Sequence, residues 1–181
     1  MAFYFSLNHD KIAYQVAGLI NSYNRLAAKK SASEILCGHT NYITETHGKL
    51  ILGAVGMDRQ SYTFTEIKHL VVRPEWRGKG IAKHLLRRAV DITNTKMIYA
   101  TVRENNEASL KLFESFGFSR AGDYETENHA VVLLVRVSPQ WQQIKSGSKS
   151  KSWNVEALIK KMSSLTPTSS KSGKTRQEAT G

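Results

Sequence analysis

From Leu70 to Val90 the chain reads "LVVRPEWRGKGIAKHLLRRAV": an apolar run, a proline, two glycines one residue apart, then basic and apolar residues at helical spacing. A strand that leaves through Arg77-Gly78-Lys79-Gly80-Ile81-Ala82 into a helix makes an anion site. Glycine lets the backbone approach a ligand closely, and the N–H groups of a helix's first turn present the positive end of its dipole. Arg77, Lys79 and Lys83 would add charge at the rim, and the arrangement suits a pyrophosphate. The spacing excludes a Walker loop, which needs a longer glycine separation and a Lys-Ser/Thr pair. It also excludes a dinucleotide fingerprint, whose third glycine would fall at Lys83. One carboxylate, Glu66 in "FTEIKHLVV", lies on the strand feeding this turn. Strand alternation predicts that Glu66, Lys68, Leu70 and Val72 share one face.

These residues resemble the acetyl-CoA signature of the GCN5-related N-acetyltransferases (GNAT), Arg/Gln-x-x-Gly-x-Gly/Ala, with Arg77, Gly80 and Ala82 as the match. A second family motif lies in "NEASLKLFESFGF", where Asn106, Ser109, Phe113, Gly117 and Phe118 stand at the matching positions. The resemblance covers about residues 2–137. It implies a GNAT fold, acetyl-CoA as cosubstrate and direct attack of a primary amine on the thioester. Main-chain groups of Leu70, Val71 and Val72 would pair with the pantetheine arm as a neighbouring strand would. Gly78, Lys79, Gly80, Ile81, Ala82 and Lys83 would surround the pyrophosphate, Asn106 and Ser109 the pantetheine and phosphate side, and Phe113 the sulfur. Glu66 resembles the base position of the histone-acetylating branch; its other reading is a strand glutamate paired with Lys68. Two departures from the family pattern stand out. Phe113 sits where many members carry a tyrosine acid, and Thr101 where some bacterial members carry a carboxylate.

The elements that must position these groups are legible as alternating strands and helices. Residues 2–7 read as a first strand, and Asn8 or Asp10 as the cap of a helix with Ile12, Val16, Leu19, Ile20, Tyr23 and Leu26 on one stripe. Ser31–Leu36 reads as a short helix. Tyr42–Thr46 and Lys49–Met57 read as strands joined at His47-Gly48, and Tyr62–Val72 as a strand ended by Pro74. Gly78–Asp91 and Ala108–Phe116 read as helices around a strand at Met97–Val102. Strands Phe118–Tyr124 and Ala130–Val137 close an N-acetyltransferase domain over residues 1–138. The order predicts an α/β domain with a mixed, mostly antiparallel, twisted sheet flanked by helices. Tyr42, Tyr99 and Tyr124 read as core or rim aromatics, and His69 and His84 as locally packed.

Residues 139–181 turn to Ser, Lys, Gly and Thr, and carry eight Lys/Arg against Glu156 and Glu178, a net +6 of the chain's +11. They read as a largely disordered basic tail with a short amphipathic helix at 153–165. Such a tail is either a solubilising extension or a contact for nucleic acid, so a nucleic-acid-associated GNAT protein is the alternative reading. In the fold implied above, the acceptor lies between "AAKKSAS" and the hairpin "GDYETENHA". There Asp123, Glu125 and Glu127 would favour a cationic amine or form a solvated turn. With one cysteine, Cys37, and six histidines without ligand spacing, the sequence predicts no disulfide and no metal site. The absence of a signal-like start or a long apolar run predicts a cytoplasmic protein with no membrane contact.

Overall fold

The computed structural model describes residues 3–24, 26, 28–125 and 129–142. Chain contacts divide the protein into Met1–Lys149 and Ser150–Gly181. The basic tail beyond residue 142, its amphipathic segment and its expected nucleic-acid contact lie outside the described residues.

The chain runs α1 (Phe3–Tyr23), α2 (Ala32–Cys37), β1 (Thr40–His47), β2 (Leu50–Arg59), β3 (Phe64–Val72), a 3₁₀ turn (Pro74–Trp76), α3 (Ile81–Ile92), β4 (Met97–Arg103), α4 (Glu107–Ser115), β5 (Ser119–Glu125) and β6 (Ala130–Val137). The sheet order is β1-β2-β3-β4-β6-β5, and every neighbouring pair is antiparallel except β3–β4. A parallel pair needs a crossover, and α3 supplies it. Among the described residues no helix is long and apolar enough to cross a membrane.

The N-terminal expectation is overturned. Residues 3–23 form one helix, with Asn8 and Asp10 inside it rather than capping it. "AFYFSL" carries the aromatics of a strand but no turn residue separates it from the helical pattern that follows, so the helix extends back through it. The buried face of α1 is Ala13, Val16, Ala17, Leu19 and Ile20, while Ile12 and Tyr23 lie at its exposed edges. Small alanines allow this helix to sit close on the sheet, where it packs with Ile35, Ile51, Ala54 and Val71. On the other face Leu85, Leu86, Ala89 and Val90 of α3 and Phe113 of α4 pack on Val55, Ile67, Val72, Ile98, Val132 and Leu134.

Two features of β3 decide the site. First, β3 and β4 pair only through Phe64–Met97, Thr65–Ile98 and Glu66–Tyr99; beyond these the strands part. Second, β3 carries an extra residue, because Ala54 to Gly56 on β2 faces Val71 to Lys68 on β3. His69 takes up the excess with φ 55, the one positive φ at a non-glycine residue among those described. A bulge of this kind bends the strand and breaks its alternation. Ile67 and Val72, five positions apart, therefore enter the same core, while Val71 enters the opposite one. The expectation that Glu66, Lys68, Leu70 and Val72 share a face fails at this point: Leu70 and Val72 pack on the α3 side, away from the face of Glu66 and Lys68.

Gly53, paired with Val72, marks how tightly β2 lies against β3 and α3. A Cβ there would stand 2.9 Å from the Val71 carbonyl oxygen, 3.0 Å from Leu85 Cδ1 and 3.1 Å from Val72 Cγ2. Backbone cannot yield as a side chain can. Gly53→Ala is expected to lower unfolding free energy by about 1–3 kcal/mol, read as a reduced denaturation midpoint at unchanged slope.

Candidate active site

The mouth of the β3–β4 fork lies beside the turn that opens α3. Pro74 and the 3₁₀ turn end β3, and Gly78 and Gly80 follow with φ 75 and φ 79. Both are left-handed, where glycine carries no steric penalty. Gly80 is the N-cap of α3 and no side chain caps that helix, so the first-turn N–H groups receive no partner from a capping residue. An added Cβ at Gly78 or Gly80 would meet nothing within 4 Å, so the turn is open to a ligand. The cations here are held in place. Arg77 Nε donates to the Val72 carbonyl at 3.1 Å and its guanidinium lies 5.8 Å from the Tyr23 ring centre, while Lys79 Nζ sits 4.3 Å from the Trp76 ring centre. Lys83 is exposed on the first turn of α3.

On β4's far side, Asn106 caps α4 by accepting the Ser109 N–H at 3.2 Å. That bond uses its side-chain carbonyl and leaves its amide NH₂ as a donor. Phe113 is a core residue, 3% exposed, edge-on to Phe118 with ring centres 5.0 Å apart. Thr101, on β4, is exposed.

At the root of the fork, on the α1 side of the sheet, register brings together a row the sequence did not reveal. Thr40, Asp58, Glu66 and Tyr99 are successive partners across β1, β2, β3 and β4. Lys68, two residues along from Glu66, places Nζ 2.6 Å from Asp58 Oδ2 and 3.1 Å from Glu66 Oε2. The pairing of Glu66 with Lys68 is thus present, and Asp58 is a third member. Burial works against the Lys68 ammonium, but hydrogen bonds and charge from Asp58 and Glu66 outweigh it and hold its pKa above the usual lysine value. Burial, reinforced by Glu66 and Asp58, pushes the Tyr99 phenol up to about 12. Burial, with Asp58 and Glu34, does the same for Tyr42.

His69 completes the cluster. Its Nδ1 is 2.7 Å from Tyr42 Oη, and the two rings are within 5° of parallel. Burial, then the charges of Lys68 and Lys30, bring its pKa down to about 4, so the imidazole is neutral at pH 7. Asp58 could have been found by counting, since Asp58 and Glu66 are equidistant from Tyr62 in the β2–β3 turn. The Tyr42–His69 bond had no signal, because it exists only once the bulge turns His69 toward β1.

The outer walls are only partly acidic. Before α2, the Asn21 side chain binds both the N–H and the carbonyl of Lys30 at 2.8 Å, and Ser31 and Glu34 form a capping box. On the β5–β6 side Asp123 pairs with Arg120 at 2.7 Å, which also lies 3.5 Å from Glu104. Glu125 is exposed at the end of β5, and Glu127 is outside the described residues. His84 pairs with Glu45 at 3.0 Å. Among the described residues no group of three or more His, Cys, Asp or Glu is placed to hold a metal ion.

The acetyltransferase (GNAT) family model matches residues 12–118, more than half of the chain. The chain belongs to the GNAT family. Among its relatives, the N-alpha-acetyltransferase RimI of Mycobacterium tuberculosis is 33% identical over 92 residues, 49% of this chain and 58% of that protein. The spermidine N(1)-acetyltransferase of Vibrio cholerae is 30% identical over 86 residues, 45% of this chain and 50% of that protein. The chain therefore spans between half and six-tenths of the length of these two relatives. Among solved structures, an N-acetyltransferase from Staphylococcus aureus Mu50 superposes with TM-score 0.59 at 20% identity, covering 71% of this chain and 93% of that one. The structure of yncA from Salmonella typhimurium, solved with its cofactor acetyl-CoA, superposes with TM-score 0.62 at 14% identity, covering 72% and 91%. These likenesses carry the fold.

The depressed pKa of His69 fixes a direction for stability. The unfolded chain takes up a proton from the ordinary 6.5 downward, whereas the folded chain resists until about 4. Between those values the unfolded state binds more protons, so stability falls as pH drops through the window. His69→Asn, which tolerates the left-handed backbone, is expected to flatten that slope in denaturation midpoints measured from pH 7 to pH 4.

Proposed function

We propose that this protein transfers the acetyl group of acetyl-CoA to a primary amine. One observation carries the reading most: the β3–β4 fork opens beside an uncapped helix N-terminus entered through two left-handed glycines. The fork leaves the inner edge of β3 without a β4 partner, an edge an extended amide-bearing arm could join as a strand. The glycine turn is open enough, and cationic enough, for a pyrophosphate. Both the RimI and the spermidine enzymes act on amines by name, which makes a free protein N-terminus and a polyamine the first acceptors to try.

Acetyl-CoA would supply the acyl group and the thiolate that leaves. In this reading the main chain of Leu70, Val71 and Val72 aligns the arm, and an N–H there polarises the thioester carbonyl. The turn residues Arg77, Gly78, Lys79, Gly80, Ile81, Ala82 and Lys83 hold the phosphates, and Asn106 and Ser109 flank the arm from α4. Phe113 serves as packing beneath it and gives no proton. Tyr99 is no acid either: a phenol near 12 would be giving its proton to a thiolate whose conjugate acid lies near 8.5. The thiolate leaves as such and takes up the second N–H proton of the amine as the amide forms, giving free thiol, and Tyr99 can still donate a hydrogen bond.

An acceptor amine arrives mostly protonated at pH 7. Glu66, at the last paired position of the fork, takes that proton directly or through water. An ionised carboxylate beside Asp58 also favours approach of the cation.

Two variants test the reading. Gly80→Asp sets a carboxylate where phosphate must sit, and should abolish acetyl-CoA binding by calorimetry with an unchanged circular dichroism spectrum. The neutral Gly80→Asn should bind more tightly than Asp. Equal affinity of the Asp variant and the parent would place the cradle elsewhere. Glu66→Gln should lower turnover near pH 7 by about 100- to 10,000-fold, the usual worth of a general base, with acetyl-CoA affinity unchanged. The deficit should shrink as pH approaches the amine's pKa; parental turnover at every pH would falsify the role.

A further inference from the structure

Asp58 and Glu66 are directly opposed across β2 and β3, on the same face. Cross-strand partners have Cβ atoms about 5 Å apart, and like charges so placed repel. Left alone, two such carboxylates would share a proton, one of them titrating well above the ordinary range. At any pH below that raised value the pair would already hold a proton, and Glu66 could not take another. Thr40 Oγ1 donates to Asp58 Oδ2 at 3.5 Å, but it carries no charge to offset the pair. Lys68, held as an ammonium, lies between them at 2.6 Å from Asp58 and 3.1 Å from Glu66. All three side chains are three-quarters or more buried, which limits screening by water.

We propose that Lys68 is a positioning residue for proton removal: it clamps Asp58 and Glu66 together as two ionised carboxylates, and so keeps Glu66 able to accept the proton of the acceptor amine. The proposal rests on the reading of Glu66 as the base. It assigns no bond-making step to Lys68, whose own proton is held too firmly for it to act as a nucleophile. The bulge supports the assignment geometrically. Lys68 is the last β3 residue in register with β2 before the strand deviates, and Gly56 opposite it has no side chain. The space over Gly56 is closed by Thr40 Cγ2 and Tyr42 Cε1, which a Cβ there would meet at 2.8 Å and 3.1 Å, and the lysine reaches Asp58 beside them.

The other charged and titratable groups around the pair leave this role to Lys68. From β4, Tyr99 is held neutral. From β1, Tyr42 is neutral too, and from β3 itself His69 is uncharged at pH 7. Glu34 of α2 acts on Tyr42, and Lys30 before it acts on His69 but is itself paired with Glu34 at 3.2 Å. Lys68 is the one of these cations within ion-pair distance of both carboxylates.

The test separates the clamp from the base. Carboxyl ¹³C NMR titration of the full chain, with no substrate present, reads Asp58 and Glu66 directly. In Lys68→Met one of the two coupled pKa values should rise by about one pH unit or more, while Lys68→Arg should keep the parental titration. Coincident titrations of the Met variant and the parent would overturn the proposal. Turnover is then followed against pH with spermidine and with a peptide bearing a free N-terminal amine. The acid limb of kcat/KM should move up with the NMR titration in Lys68→Met. A limb displaced by about one pH unit lowers the rate about tenfold on its acid side, with recovery above it. Arg should restore the parental limb. If the carboxylates shift and the limb does not, Glu66 is not the base, and a role for Lys68 in proton removal falls with it. Loss of turnover in Glu66→Gln alongside an unshifted Met titration would retain the base and remove the clamp.

Discussion

An extra residue in the middle of a sheet is expensive: it removes ladder bonds and forces one backbone unit into a conformation most side chains avoid. In this domain the excess falls at His69, and the rest of the site depends on it. By turning β3 out of line just beyond Glu66, the bulge parts β3 from β4 and gives the fork its opening. It also reverses which side chains face which core, sending Val72 toward α3 and Val71 toward α1. The local strain is compensated by a specific bond, His69 to Tyr42, made between two groups that burial keeps uncharged. A neutral imidazole is the form that can sit beside Lys68 without repelling it.

Electrostatically the two ends of the fork are opposite. At its mouth, glycines, helix N–H groups and restrained cations await negative charge. At its root, the carboxyl groups of Asp58 and Glu66 stand around one ammonium next to neutral phenols. A ligand with an anionic tail and an electrophilic head, meeting an amine that arrives as a cation and loses a proton before it attacks, would find each part facing its complement. Because Arg77 and Lys79 are tied to Val72, Tyr23 and Trp76, these two have less side-chain entropy to lose on binding.

The sequence made the mouth of the fork legible and left its root obscure, for physical reasons. Gly78 and Gly80 are needed for their backbone angles, which depend on local sequence, and the following helix announces itself by periodicity. The β-strands from Tyr42 onward were readable for the same reason. Asp58, Tyr99 and Tyr42 join Glu66 only through register between strands, which no local pattern encodes. The bulge defeated the alternation argument for Leu70 and Val72, since one inserted residue moves everything after it to the other face. Phe113 was placed by motif near a sulfur, and its packing with Phe118 shows why an aromatic is wanted there even without a hydroxyl. At the N-terminus, "AFYFSL" has strand composition but lacks the break that would have made it a strand.

The divergence of β3 from β4 has a further thermodynamic side. A sheet with a gap in it has an interior pair of edges whose peptide groups are left to solvent, and such edges ordinarily invite foreign strands. A molecule that lies in the gap and bonds to those edges completes the sheet, so it would act as a removable structural element as well as a reactant. The two halves of the sheet, β1-β2-β3 and β4-β6-β5, are joined by three pairs of residues. Occupancy of the gap would tie them together along their whole length, linking the cohesion of the domain to the concentration of its own ligand.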